Sequence, residues 1–256
     1  IESADPEGVK EYVGTGPFKF EDWKDAQYVH LTKFEDYQPV DLPASGLSGK
    51  KEALVDDIYF EIVGDTATQF AGIQTGQYDI VLNFSPEYYE EVEADPNLQS
   101  VLSPFGHQVL LFNKNEGQTF SDVKMRQAVN AALDLDAIML ATYAHEDLYS
   151  MGPSYAHKDK VTWYSEEGGE FYNQKDTEKA KQLLDEAGYN GEEITIIASR
   201  EDEQYYNASV VVQEQLKQLG MNVEIEVYDY ATLLDRREDP ENWDLYIASF
   251  VDPSTP

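Results

Sequence analysis

Ile194-Thr195-Ile196-Ile197-Ala198, Val223-Glu224-Ile225-Glu226-Val227-Tyr228 and Trp243-Asp244-Leu245-Tyr246-Ile247-Ala248-Ser249-Phe250 are three short runs rich in β-branched and aromatic residues. Between the first two lies Glu203–Leu219, long enough for several helical turns and closed by Gly220; between the last two lies Ala231–Arg237. Strand, helix, strand, helix, strand is a βαβαβ series, which implies parallel strands joined by right-handed crossovers. In such sheets ligands bind beyond the carboxyl ends of the strands. The residues that follow Ala198, Tyr228 and Phe250 are therefore the ones to watch.

Upstream, Asp176–Ala187 places Ala180, Leu183, Leu184 and Ala187 at helical spacing before Gly188, a left-handed cap. Ala144–Gln174 is a long aromatic and polar loop of the kind that covers something or is functional. His107–Phe112 reads as a strand. Ser121 is expected to cap a helix with Val123, Val129, Ala132 and Leu133 on one side, and Asp134–Thr142 a second short helix.

In the first hundred residues, Gly14-Thr15-Gly16-Pro17 is turn chemistry ahead of Phe18, Phe20 and Trp23 and then Tyr28, Val29 and Leu31, an antiparallel hairpin. Asp41–Lys51 reads as a loop. Val55–Val63 alternates Ile58, Phe60 and Ile62 with Asp57, Tyr59 and Glu61, the period of a half-buried strand. A helix from Thr66 to Gln74 closed by Gly76, a strand at Tyr78–Leu82 and a helix opened by Ser85-Pro86-Glu87 complete the expectation. The fold class is α/β, with a mixed sheet in the first segment and a βαβαβ sheet in the second.

Of 256 residues, 50 are acidic and 18 basic, a formal charge of −32, while 41% are hydrophobic. That is enough apolar material for a core, so the acidity belongs to the surface of a folded chain. A pI near 4.2 disfavours nucleic acid and anionic membranes as partners. The longest apolar runs are about five residues, far from the roughly 20 that span a bilayer. Without cysteine there is no disulfide, thiolate metal site or thiol nucleophile.

Gly14-Thr15-Gly16 lacks the last glycine of a dinucleotide loop, and neither a phosphate loop nor a Gly-x-Ser-x-Gly elbow is present. His30, His107, His145 and His157 are isolated, and His145-Glu146-Asp147-Leu148-Tyr149 lacks the second histidine of a metal-binding helix. No metal or cofactor is expected. Acidic pairs such as Glu90-Glu91, Glu166-Glu167 and Glu192-Glu193 invite a glycosidase reading, yet so acidic a composition produces them by chance. Tyr88-Tyr89, Trp163-Tyr164, Phe171-Tyr172 and Tyr205-Tyr206 are either pocket walls or packing.

Val13-Gly14-Thr15-Gly16-Pro17-Phe18-Lys19-Phe20 resembles the turn-and-strand signature of the peptide, nickel and related solute-binding proteins of ABC importers, family 5. Leu111-Phe112-Asn113, Phe120-Ser121-Asp122-Val123-Lys124-Met125-Arg126-Gln127-Ala128, Lys179–Leu184 with Ala187-Gly188-Tyr189, and Gln215–Gly220 are similar to later elements of the same family, in its order. The resemblance implies a partial periplasmic-binding-protein-like type II fold. Residues 1–103 would be part of a first lobe and residues 104–256 most of a second. Members are longer than this chain, with one lobe built from both chain ends, so the sequence is expected to be a piece that binds peptide weakly or not at all by itself.

The resemblance also implies a function: a clamp that closes on an extracellular peptide or related small solute and hands it to a membrane permease, without chemistry. A monomer is expected, cell-surface or periplasmic, with any lipid-anchoring residue upstream. The competing readings are a carboxylate-based glycosidase and an acidic protein-interaction module. Strand ends and resemblance together point to Tyr230, Arg237, Phe250 and Asp252, with Gln204 and Tyr205, as the second lobe's share of the pocket. Arg237 would hold a carboxylate bidentately. In peptide-binding members an acid soon after the aromatic pairs with the ligand's α-amino group, here Asp252 after Phe250. Val251-Asp252-Pro253 is shorter than the usual segment, so Asp252 also reads as a turn residue before proline.

Overall fold

The structure, a computed structural model, describes residues 12–45, 48–102, 106–158 and 160–251. The chain divides into two compact units, up to Phe84 and from Ser85 onward. The lobe boundary expected near residue 103 lies inside the second unit.

In the first unit, β1 (Phe18–Lys24), β2 (Tyr28–Lys33) and β3 (Asp57–Glu61) form a sheet in that order, antiparallel throughout. This sheet is thus not mixed: a short turn joins β1 to β2, and β3 pairs antiparallel with β2 after the long stretch 34–56. A bulge between Phe20 and Asp22 shifts the alternation, so Phe20, Leu31 and Ile58 form one cross-strand row and Trp23, Val29 and Phe60 the next. The opposite face is polar: His30 stacks on Tyr59 at 4.1 Å and its Nε2 lies 2.7 Å from an Asp57 carboxylate oxygen. Helix α1 (Thr66–Thr75) starts where Asp65 accepts from the Thr68 amide. It ends where Gly76, at φ +72°, turns its N–H onto the Gly72 and Ile73 carbonyls.

Residues 78–82 form no strand: no neighbouring chain among the described residues offers them a ladder, and Ile80 and Leu82 are exposed.

The second unit carries the core. A 3₁₀ turn at Pro86–Tyr88, with Ser85 Oγ accepting from the Glu87 amide, leads into α2 (Tyr89–Ala94). Strand β4 (Gly106–Phe112) is followed by α3 (Val123–Ala132) and α4 (Leu135–Tyr143). The cap of α3 is Asp122, accepting from the Lys124 amide, because Ser121 is still in a 3₁₀ turn; Val123 at the helix start is exposed, whereas Val129, Ala132 and Leu133 are buried as expected, together with Met125 and Ala128. Then follow α5 (Thr177–Ala187), β5 (Glu193–Ser199), α6 (Glu203–Leu219), β6 (Asn222–Tyr228), α7 (Tyr230–Glu238) and β7 (Leu245–Val251).

The strand order is β4-β7-β5-β6, with β5 parallel to both neighbours and β4 antiparallel to β7. The chain steps from β5 out to β6 and back across to β7, so its two connecting helices cover opposite faces. Alternation along the strands confirms this. Ile194, Ile196, Leu245 and Ile247 join α3, α5 and α6 in one apolar cluster, whereas Ile197, Tyr246 and Ala248 pack with Leu233 of α7 in another. The reversal at β5 makes a switch point beside the carboxyl ends of β5 and β7.

Candidate functional site

A narrow cleft opens at that switch point, inside the second unit. It is lined by Ala198 and Ser199 at the end of β5, Asp202 and Tyr205 where α6 begins, Tyr230 and Leu233 of α7, and Tyr246 of β7. Local sequence sets these positions. Gly-free β5 ends at Ser199, whose Oγ accepts from the Glu201 amide and tightens the turn into α6. Asp229 caps α7 by accepting from the Thr232 amide, which fixes Tyr230 as the first helical residue at the rim.

Burial dominates the electrostatics. It pushes the Asp202 carboxyl above its ordinary range; the Tyr205 backbone N–H, near the carboxylate but outside capping geometry, offsets part of this. The Tyr205 phenol is raised by burial, opposed by a hydrogen bond with Ser249 and reinforced by Asp202. Tyr246 is raised by burial too, with the Arg237 guanidinium opposing from 5.8 Å above the ring. Tyr143, at the end of α4, is raised by burial and feels Tyr205 and Asp202. Tyr143, Tyr205 and Tyr246, with Tyr230 beside the last two, thus share one electrostatic neighbourhood with Asp202.

Of the residues expected from the sequence, Tyr205 and Tyr230 line the cleft. Gln204 is half-buried in the same first turn of α6 but does not line it. Arg237 stands seven residues after Tyr230, about 10 Å along α7, and reaches the site only through the Tyr246 ring. Phe250 is exposed near the end of β7, paired in register with His107 of β4. Asp252 lies outside the described residues. Asp202, Ser199 and Tyr246 escaped the reading, although Ser199 and Asp202 directly follow the first strand end singled out. Among the described residues no group of His, Asp or Glu is arranged to hold a metal ion, and no helix is long and apolar enough to cross a membrane.

Comparison with known proteins agrees with this architecture. Residues 2–256 match the family model "Bacterial extracellular solute-binding proteins, family 5 Middle". A Sinorhizobium fredii (strain NBRC 101917 / NGR234) protein named "Probable peptide ABC transporter periplasmic-binding protein y4tO" is 32% identical over 251 residues, 94% of this chain and 47% of the relative. The oligopeptide-binding protein AppA of Bacillus subtilis (strain 168) is 27% identical over 252 residues, 92% of this chain and 43% of the relative. Among solved structures, DppA of Helicobacter pylori in complex with peptide STSA superposes with a TM-score of 0.75 at 24% identity, over 95% of this chain and 44% of that one. The agropinic-acid complex of AgaA from A. tumefacien R10 gives 0.75 at 24% identity, over 94% and 46%. The chain spans about half the length of the curated relatives it matches. It belongs to the bacterial extracellular solute-binding proteins of family 5.

Proposed function

We propose that this chain is the middle of a solute-binding component of an ABC importer, which captures an extracellular peptide or related small solute and delivers it to a membrane permease. The observation that carries the reading is the cleft at the carboxyl ends of β5 and β7, walled by Tyr205, Tyr230 and Tyr246, in a chain matched by the family model over its whole length. Tyrosines give apolar area with polar tips, the chemistry of a recognition surface. Among the described residues one carboxylate, Asp202, lines the cleft, whereas glycoside hydrolysis needs two facing carboxyl groups; this supports binding without turnover.

In the finer reading, residues 1–103 belong to a first lobe and 104–256 to the second. Tyr230, Arg237, Phe250 and Asp252, with Gln204 and Tyr205, supply the second lobe's contacts: Arg237 for a carboxylate, Asp252 for an α-ammonium. The protein acts as a monomer outside the cytoplasm, held by a lipid anchor or free in a periplasm, and needs no cofactor. Mass spectrometry of ligand co-purified with the full-length protein tests this, together with thermal shift against short peptides. A peptide that raises the melting temperature and is recovered intact supports it; release of cleaved products would overturn it.

A further inference from the structure

The connection between α5 and β5 lies at the amino end of β5, opposite the cleft, and carries chemistry that solute binding does not use. Of the chain's ten asparagines, Asn190 alone precedes a glycine. An asparagine amide carbon is open to attack by the backbone nitrogen of the next residue, and a side chain on that residue is what obstructs the approach. Gly191 has none, and the space where its Cβ would stand is empty for 4 Å around. Among the described residues nothing accepts a hydrogen bond from the Gly191 N–H, so the attacking nitrogen is not held elsewhere. Both residues are exposed, which admits water and hydroxide. Asn113 and Asn173, by contrast, precede Lys114 and Gln174 and spend their amides on hydrogen bonds to distant segments.

We infer that Asn190-Gly191 is a deamidation site of the folded protein. The Gly191 nitrogen gives up its proton to base and bonds to Asn190 Cγ; the Cγ–Nδ2 bond breaks, ammonia leaves, and a cyclic succinimide remains. Water then opens the ring at either carbonyl, giving aspartate or, with the main chain rerouted through Cβ and Cγ, isoaspartate. Water and base are the only co-reactants. The geometry also fixes what the product does. Asn190 Nδ2 donates to the Gly188 carbonyl at 2.7 Å, where α5 ends, and the Asn190 backbone N–H donates to the Glu192 carboxylate at 2.8 Å. A carboxylate in place of the amide loses the first bond and stands near a second carboxylate and the negative end of the helix dipole. The Tyr189 hydroxyl, which donates to the Glu192 carbonyl and accepts from the Asn222 amide, ties the same segment to β6. Isoaspartate lengthens that segment by one backbone atom. Conversion therefore weakens the junction of α5, β5 and β6 and leaves the cleft at the other end of the strands untouched.

The test ages the full-length protein in heavy-oxygen water, folded and in urea, in mildly acidic and mildly alkaline buffer, and maps its peptides by mass spectrometry. Heavy oxygen marks conversion that happens during the experiment. In the folded protein Asn190 should take up the label before any other asparagine, as a mixture of aspartate and isoaspartate, faster in alkali, and no more than a few-fold slower than in urea. The Asn190→Gln variant, whose longer side chain closes a less favoured ring, should take up none there. Asn190→Asp, which installs one product directly, should melt roughly 1–3 °C below wild type. Labelling in urea but not in the folded protein would overturn the inference, because the fold would then shield the amide. Earlier labelling of another asparagine in the folded protein, or none at Asn190 in either state, would overturn it as well. An unchanged melting temperature for Asn190→Asp would overturn the assigned consequence of the added charge.

Discussion

The two units are built from similar proportions of charge yet differ in what they bury. Up to Phe84 the chain has six basic and 16 acidic residues, and from Ser85 it has 12 and 34, so both carry a comparable excess of carboxylates for their length. Every large apolar side chain buried among the described residues nevertheless lies in the second unit, beginning with Phe120. In the first unit, Trp23, Phe60 and Ile62 are about half exposed. A three-stranded sheet with one short helix can satisfy its backbone hydrogen bonds without enclosing a core. A sheet covered by helices on both faces encloses two. Secondary structure and a core are therefore separate achievements, and only the second unit has both.

The sharpest way to break this comparison is to truncate one aromatic in each unit. Phe120, fully buried against Phe112 at 5.1 Å between ring centroids, should cost about 3–5 kcal/mol as Phe120→Ala. Phe60→Ala, at 49% exposure, should cost about 1 kcal/mol or less. Urea denaturation read by circular dichroism measures both. Equal losses would mean that the apolar face of the first sheet is buried in the working protein.

The same contrast explains what could be read from the sequence. The β5–α6–β6–α7–β7 series was legible because each element carries local marks: a continuous apolar run in Leu245–Ala248, an apolar stripe in α6, and Gly220 at φ +101° just past its end. The cap of α5 by Gly188, at φ +75°, and the loop between α4 and α5 were legible for the same reason. Tyr78–Leu82 was misread because a strand is a property of two neighbours, and the apolar run was mistaken for half of a pair. Ser121 and Asp122 are both good caps, and their own sequence does not decide which ends the 3₁₀ turn. At the cleft, Tyr205 and Tyr230 could be found from strand ends. Tyr246 could not, since its role depends on α7 covering one face of β7, and the significance of Asp202 depends on burial beside Tyr143 from a distant helix.

A second experiment sharpens the contrast in ligand chemistry, which we assign to the second unit. In the full-length protein, Asp252→Asn should weaken a free-amino peptide by roughly 2 kcal/mol if that carboxylate forms a desolvated pair, and leave the N-acetylated peptide nearly unchanged. Asp57→Asn in the first unit, whose carboxylate is engaged by His30, should change neither. Calorimetric titration of both peptides decides. Equal small effects on both peptides would return Asp252 to the role of turn residue before Pro253.

A third experiment asks whether charge separates the units as burial does. With carboxylates in excess throughout, screening should relieve self-repulsion, so raising salt from about 0.05 to about 1 M should raise the melting temperature. Because the excess is alike in both units, tyrosine and tryptophan probes placed in each should shift together. A shift confined to one unit would show that its carboxylates are less well compensated than the other's.

The smallest effect belongs to the ion pair that pins the long loop to the second unit. Lys175 Nζ lies 2.8 Å from Asp134 and 2.6 Å from Asp136, while the Asn173 amide donates to Asp136 and its side-chain oxygen accepts from the Leu135 backbone. Hydrogen bonding by Lys175 holds both carboxyls below their usual range and holds Lys175 above its own. For the two acids, the folded chain binds protons less readily than the unfolded one. Their contribution is present in full above the unfolded carboxylate value of about 3.9 and is lost as pH falls through the depressed folded values. For Lys175 the contribution is present below about 10.4 and is lost as pH rises through the raised value. All three groups are largely exposed, so screening keeps the effect small. Lys175→Met leaves the left-handed backbone at φ +53° equally strained and removes only the charge. It should lower the melting temperature by a small, constant amount between about pH 5 and 9, a deficit that closes in acid once both carboxyls are protonated and wild type has lost the pair too. A deficit that persists in acid would show that Lys175 acts through the packing of its alkyl chain rather than through its charge.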